Sequence, residues 1–359
     1  MTDNFDIFGV IKTAQEETAR WIGKANLLVA GKTGVGKSTL INAIFGEDFA
    51  KTGTGQPVTQ EMKLFSKEGS HISIYDSKGL ELADFKKILD ELISAITEIN
   101  SSKNAMDHIL LCWLCVDHNS ARIEPAEVTL LEKLEKELGI KTIVVFTKSF
   151  TENKEFINAA KKILPNAEDW IEVHAEKTTM RGGQEIPPSG LDNLVTRTYG
   201  LLPEIQKRAF VRAQQLNLEK KIDEANTTVN WASGQASLAC ANPLPIPDAI
   251  LIIPIQIRMM MRIGELFGIP SVDFKTLMIV LGGPLAMAGA GRQVASYLLK
   301  FIPIGGQILN ATIAASITKS MGTLYIKALV GLVKENPSKH IDYTMVAERF
   351  KGMLQEIKN

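Results

Sequence analysis

The nine residues GKTGVGKST, Gly31 to Thr39, constrain the fold more than any other part of the 359-residue chain. They follow an apolar run, NLLVA (26–30), and lead into TLINAIFG (39–46), whose spacing is helical. From Gly31 to Ser38 they fit G-x-x-x-x-G-K-[ST] in the strand–loop–helix setting that gives this pattern its meaning. Gly34 and Gly36 let the amides of Thr33, Gly34, Val35 and Gly36 turn inward as an anion nest. The dipole of the following helix, opening at Lys37, Ser38 and Thr39, adds to that field. Lys37 is placed to reach terminal phosphates, and the Ser38 hydroxyl to complete a Mg²⁺ shell. Such a loop needs a strand and a helix covering a sheet, so the surrounding chain is expected to be α/β.

The rest of the first half agrees. EMKLFS and HISIYD read as strands, and ADFKKILDELISAITEI as a helix leading to the strand HILLCWLCV. Helical EPAEVTLLEKLEKEL leads to KTIVVFT, and a further helix precedes WIEVHA. Short apolar runs separated by longer helices indicate a mostly parallel sheet covered on both faces. Cys112 and Cys115 fall on opposite faces of their strand, which reads as core packing and not as a metal or redox pair. Three cysteines without even spacing point to a reducing compartment. The five histidines (71, 108, 118, 174, 340) show no metal-ligand spacing, so no metal beyond Mg²⁺ is assigned.

Two downstream segments carry oxygen ligands at fitting places. Asp76, in YDSKG, closes an apolar strand and is placed to hold Mg²⁺ through water, while the Gly79 amide senses a γ-phosphate. Thr59, in GTGQPVTQE, lies in a loop broken by Gly and Pro; its hydroxyl and carbonyl are placed to close on Mg²⁺ and the γ-phosphate. Thr54 is the rival for that role. The catalytic set on this reading is Lys37, Thr59 and Gly79, and the metal set Ser38, Thr59 and Asp76.

The order of loop, switch threonine, DSKG and FTKS resembles the translation-factor-related GTPases. GxTGxGKST in particular is similar to septin, dynamin-like and immunity-related GTPases. With its tail, the chain resembles bacterial GTPases that carry a C-terminal hydrophobic helical domain. The likeness spans roughly residues 20–335, with specific motifs only in the first half. It implies GTP and GDP as ligands, Mg²⁺ as cofactor and slow, switch-like hydrolysis.

The likeness is incomplete at two places. The family reads guanine with [NT]-K-x-D, whereas this chain has Thr147-Lys148-Ser149-Phe150. Thr147 and Lys148 keep their supporting roles, but Phe150 stands where an acceptor is expected. Losing a charged acceptor is worth about 1.5–3 kcal/mol. Glu152 is a substitute acceptor if the loop is longer. In place of S-A-x stands His174-Ala175-Glu176, where the Ala175 amide suffices to meet the guanine oxygen. Leu80 follows Gly79 where several relatives place a water-orienting glutamine, and a leucine side chain has no hydrogen bond to offer water. The asparagine of potassium-activated relatives is replaced by Gly34. Slow turnover follows, with a second protomer or a protein partner completing the site; Arg122, in DHNSARIEP, is a candidate for the added charge or else a solvated loop residue.

The second half is different in kind. From Asn226 to Val333 only ten residues in 108 are charged, seven of them basic, against 22% charged in the whole chain. LLPEIQKRAFVRAQQLNLEKKIDEAN reads as a polar-faced connecting helix ahead of it. A helix is expected from about Asp248, kinked near Pro254. Two uncharged stretches follow, 276–291 and 301–318. The longer reaches about 27 Å as a helix, short of a hydrocarbon core of ~30 Å. A buried bundle or dimer interface is one reading. The other is a set of helices entering a bilayer, with Arg292 and Lys300 at headgroup level. The mean hydropathy of +0.05 does not separate them. Met259, Met260 and Met261 read as adaptable core.

The expected organisation is therefore an N-terminal helix (1–22), capped near Asp3 or Asn4, a GTPase domain (23–205), and an all-α hydrophobic domain (206–359). The N-terminus has no long apolar stretch of the secretory kind, so the expected place is the cytoplasm, with the chain peripheral on the inner face of a membrane or inserted in it. Basic and acidic residues balance at 40 each, so nucleic acid is not expected as a partner. The leading function is a nucleotide switch coupled to oligomerisation or membrane contact. The alternative is a nucleotide-binding scaffold with negligible hydrolysis or relaxed base choice.

Overall fold

The computed structural model describes residues 6–46, 49–52, 56–58, 62–66, 71–77, 85–241, 248–274, 276–277, 311–336 and 341–356. Thr54, Thr59, Gly79 and Leu80 lie outside the described residues, as do Asp3, Asn4 and most of the two uncharged stretches. The chain divides into two compact units: Gly23–Asn217, and Met1–Ile22 together with Leu218–Asn359. This differs from the expected division. The N-terminal helix is part of the helical unit, and the crossing into that unit falls between Asn217 and Leu218 rather than at 205/206.

The Gly23–Asn217 unit is α/β. Its elements run β1 (Ala25–Ala30), α2 (Lys37–Phe45), α3 (Phe49–Thr52), β2 (Gln56–Pro57), β3 (Met62–Ser66), β4 (Ile72–Ser77) and α4 (Phe85–Asn100). Then come β5 (Leu111–Asp117), α5 (Pro125–Lys136), β6 (Lys141–Thr147), α6 (Lys154–Ile163) and β7 (Asp169–Glu172). The unit closes with β8 (Thr178–Thr179), β9 (Glu185–Ile186), α7 (Leu191–Leu201) and α8 (Glu204–Ala213). The main sheet has the order β2-β3-β4-β1-β5-β6-β7. Strands β4, β1, β5, β6 and β7 are parallel neighbours, and the β2 and β3 edge runs antiparallel. β4 lies on one side of β1 and β5 on the other, so the winding reverses at β1. In open α/β sheets, ligands settle beyond the strand ends at such a reversal.

Strict alternation sorts the central side chains onto the two faces. Leu27, Val29, Trp113, Cys115, Ile143 and Val145 face α2, α7 and α8, with Leu40, Ile44, Leu194 and Phe210 among their neighbours. Leu28, Ala30, Cys112, Leu114, Val116, Val144 and Phe146 face α4, α5 and α6. Cys112 and Cys115 thus belong to different cores, as their spacing requires. Trp113 keeps its one polar atom satisfied by donating from Nε1 to Thr198 Oγ1 at 2.9 Å. Helix α5 starts sharply because Glu124 and Glu127 form a capping box around Pro125. Asn153 caps α6 through the Phe156 amide.

The expected connecting helix is two helices. α8 ends at Ala213, and Gln214 caps the break by accepting from the amides of Leu216 and Asn217. α8 belongs to the α/β unit, where it buries Ala209, Phe210 and Val211.

In the helical unit the described helices are α1 (Ile7–Ile22), α9 (Leu218–Ala239), α10 (Asp248–Leu266), α11 (Ala311–Glu335) and α12 (Tyr343–Glu356). Asp6 accepts from an early α1 amide, that of Gly9, at 2.9 Å. Pro254 lies inside α10. Met259, Met260 and Met261 are all fully buried. α9 and α11 approach closely at Gly322, where an added Cβ would stand 2.5 Å from Val229 Cγ2. The Arg262 guanidinium lies over the rings of Trp21 (5.1 Å) and Trp231 (4.6 Å), linking α1, α10 and α9. Among the described residues no helix is long and apolar enough to cross a membrane.

Candidate functional site

β1 delivers the loop 31–36 to the carboxyl edge of the sheet, beside β4 and β5. Gly31 has φ 141°, and a Cβ there would lie 2.3 Å from the Cys115 carbonyl, so the approach to β5 admits only glycine. Gly34 (φ 78°) and Gly36 (φ 101°) also take the left-handed backbone, and Gly36 caps α2. Thr33, Gly34 and Ser38 are exposed, whereas Val35 is buried and anchors the loop.

Lys37 is 8% exposed. Its ammonium donates to the carbonyls of Gly31 (2.8 Å) and Lys32 (3.0 Å), and lies 3.9 Å from Asp76 Oδ1. The loop is therefore curled around the charge that would meet phosphate. Asp76 pairs in register with Val29 of β1, which places it beside the loop. Burial pushes its carboxyl up to about 6, against the pull of Lys37 and Lys63. Its Oδ1 is buried and accepts no hydrogen bond. An orphaned carboxylate oxygen beside the loop residue Lys37, with the exposed Ser38 hydroxyl following in the chain, offers hard oxygen donors, the kind Mg²⁺ takes with several waters retained. These residues fit that ion.

The motif 147–150 is stitched to the same loop. The Thr147 hydroxyl bonds the Val35 carbonyl and lies 3.1 Å from that of Val116. Lys148, at φ 56°, donates to the Gly34 carbonyl (2.7 Å) and to Asp117 (2.7 Å). His174 is buried and tied to Ser189 through both its backbone groups. Ala175 follows at the edge of this segment, half-buried. The Phe150 and His174 rings meet edge to face, with centroids 5.8 Å apart. Glu152 is exposed and paired with Lys154 at 3.2 Å.

Thr33, Gly34, Val35, Gly36, Lys37, Ser38, Thr39, Asp76, Thr147 and Lys148 thus gather around one loop, with His174 and Ala175 on the segment beside Phe150. Sequence reasoning misses Asp117, which braces Lys148, and Asn119, whose side-chain amide donates to the Lys148 carbonyl at 3.2 Å. The signal was present, since CVD closes an apolar strand with an acid just as IYD does for Asp76. It also misses Glu124, which holds the loop residue Lys32 at 2.8 Å and Arg122 at 2.9 Å. The hydrogen bond from Lys32 keeps the Glu124 carboxyl below its usual range.

No curated protein matches the chain. Among solved structures, a variant of Era from Aquifex aeolicus bound to GDP·AlF4⁻ is similar at 16% identity, covering 62% of this chain and 70% of that one, with a TM-score of 0.33. Toc33 from Arabidopsis thaliana with GDP and Mg²⁺ is similar at 15% identity, covering 58% and 92%, with a TM-score of 0.33. A second Era structure, with MgGDPNP and nucleotides 1506–1542 of 16S ribosomal RNA, matches at 16% identity, 62% and 70% coverage and a TM-score of 0.33. That RNA complex conflicts with the expectation, drawn from neutral charge, of no nucleic-acid partner. Balanced totals say nothing of how charge is distributed locally. Residues 26–148 match the family model described as "50S ribosome-binding GTPase", and the unit that contains them, Gly23–Asn217, has the P-loop GTPase fold.

Proposed function

We propose that the chain is a slow, Mg²⁺-dependent GTPase that works as a nucleotide switch. The observation that carries this reading is the curled loop around Lys37 with the orphaned Asp76 oxygen beside it. The amides of 33–36 and the Lys37 ammonium hold the β- and γ-phosphates, at which point Lys37 exchanges loop carbonyls for phosphate oxygens. Ser38, Asp76 and Thr59 would hold Mg²⁺, directly or through water, and the ion would supply positive charge against the phosphate oxygens. Gly79 contributes its amide to the γ-phosphate. Thr147 and Lys148 fix the base-binding segment to the loop, and the Ala175 amide meets the base.

Turnover is slow because Leu80 offers water no hydrogen bond. A second copy or a protein partner supplies what is missing. Arg122 suits that exchange: its side chain is 72% exposed and held by Glu124, whose other partner is Lys32 of the loop itself. Oligomerisation or contact with the inner face of a membrane is the output, carried by the sparsely charged helical unit.

The test is equilibrium binding of GTP and GDP with and without Mg²⁺, beside hydrolysis measured across a dilution series. Lys37→Ala is expected to lose nucleotide affinity by a hundredfold or more, and turnover per chain to fall on dilution. A fast rate that is flat with dilution would sink the partner-completed site. A folded chain that binds no purine triphosphate would sink the whole reading.

A further inference from the structure

This inference rests on the nucleotide-binding reading above and concerns which base the site takes. The bonds from Thr147 to Val35 and from Lys148 to Gly34 stitch segment 147–150 to the rim of the phosphate loop. Segment 172–175 lies alongside it, through the Ser149 amide on the Val173 carbonyl (3.1 Å) and the Ser149 hydroxyl on Glu172 (2.9 Å). A base extending from phosphates held on that loop meets these two segments.

Three of the carboxylates there are already engaged. Asp117 takes Lys148 at 2.7 Å and the Asn119 amide at 2.9 Å. Glu172 takes Ser149 at 2.9 Å and stands 3.7 Å from His118. Glu152 is turned to solvent with Lys154 at 3.2 Å. At the place an acceptor would occupy stand two rings edge to face, Phe150 and His174, 5.8 Å apart at 66°. The donor side is intact, since the Ala175 amide bonds no other described residue.

A donor without an acceptor recognises a 6-oxo group and leaves a 2-amino group unread. An adenine would set its own 6-amino donor against that amide. We infer that the site takes 6-oxopurine nucleotides as a class, inosine and guanosine alike, and that Phe150 determines this specificity.

The experiment is competition binding of GTP, ITP and ATP to the full chain with Mg²⁺, for wild type and Phe150→Asp, with circular dichroism confirming that each is folded. In wild type, GTP and ITP are expected within about threefold of each other, and ATP at least tenfold weaker. In Phe150→Asp the carboxylate gives the 2-amino group an acceptor, and GTP is expected to gain tenfold or more over ITP. Phe150→Asn serves the same purpose, with a smaller gain, if the aspartate variant does not fold. A wild-type preference for GTP over ITP of tenfold or more overturns the inference, and Glu176→Gln then shows whether that neighbouring acid is the reader. ATP binding as tight as GTP also overturns it. Failure of all three nucleotides to bind the folded wild type removes the site reading itself, a different outcome from lost discrimination.

Discussion

Replacing Asp76 with asparagine should stabilise the nucleotide-free domain, and by an amount that depends on pH. The Asp76 side chain is 16% exposed and its carboxyl is raised from 3.8 to about 6, chiefly by burial. Between those two values the folded chain holds a proton that the unfolded chain has released. Stability from this group is therefore fully present below pH 3.8, falls as pH rises to about 6, and is absent above it. A rise of that size corresponds to about 3 kcal/mol, or roughly a hundredfold in an opening equilibrium. The neutral amide of the Asp76→Asn variant carries no such penalty, while Lys37 keeps its two loop carbonyls. The assay is amide hydrogen exchange in peptides spanning β1 and β4, without Mg²⁺ or nucleotide, comparing variant and wild type at equal pH. The protection ratio should climb about a hundredfold in the variant's favour from pH 4 to pH 8. A ratio that stays flat, or a variant that exchanges faster at pH 8 than at pH 4 relative to wild type, would refute the assignment of a desolvated carboxylate at this place.

Two glycines give further tests. Gly31→Ala places a Cβ 2.3 Å from the Cys115 carbonyl at φ 141°; an expected loss of about 3 kcal/mol or more in unfolding free energy, with loss of nucleotide binding, is read by denaturant titration. Gly322→Leu drives side-chain atoms into Val229 and Met259 where α9 and α11 meet; it should cost about 1–3 kcal/mol and lower the melting temperature while leaving GTP affinity unchanged.

The central strands are legible because β1, β5 and β6 each carry an unbroken apolar run (LLVA, LCWLCV, IVVF), which burial on both faces explains. The phosphate loop is legible because its glycines, lysine and serine are demanded by one backbone shape. α8 is harder. Its charged residues suggest a connector, yet Gln206 is fully buried, with its amide donating to the His108 carbonyl at 2.9 Å. A polar residue held by a distant backbone group leaves no periodic mark. The β8–β9 hairpin is shorter still: two-residue strands around Gly182 and Gly183 are too brief for alternation to show. Asp117 is missed for another reason, because its importance lies in a partner 31 positions away. The substitutions at Phe150 and Leu80 are plain in the sequence. Only the structure shows that Phe150 is backed by a second ring and that Glu152 is paired with Lys154.

α1 is a wall of the helical unit although 195 residues of GTPase domain separate it from α9. Ile11, Ala14 and Thr18 are buried, Glu17 pairs with Arg258, and the Gln15 amide donates to the Ser271 carbonyl at 2.9 Å. Fragments trimmed at Gly23, the natural cut for anyone isolating the nucleotide-binding half, would injure the other half instead. A helical fragment beginning at Leu218 would leave bare the flank that α1 covers and invite aggregation. The clean excision is internal: remove 23–217, join the flanks with a linker, and both sides of the α1–α10 seam stay in one molecule.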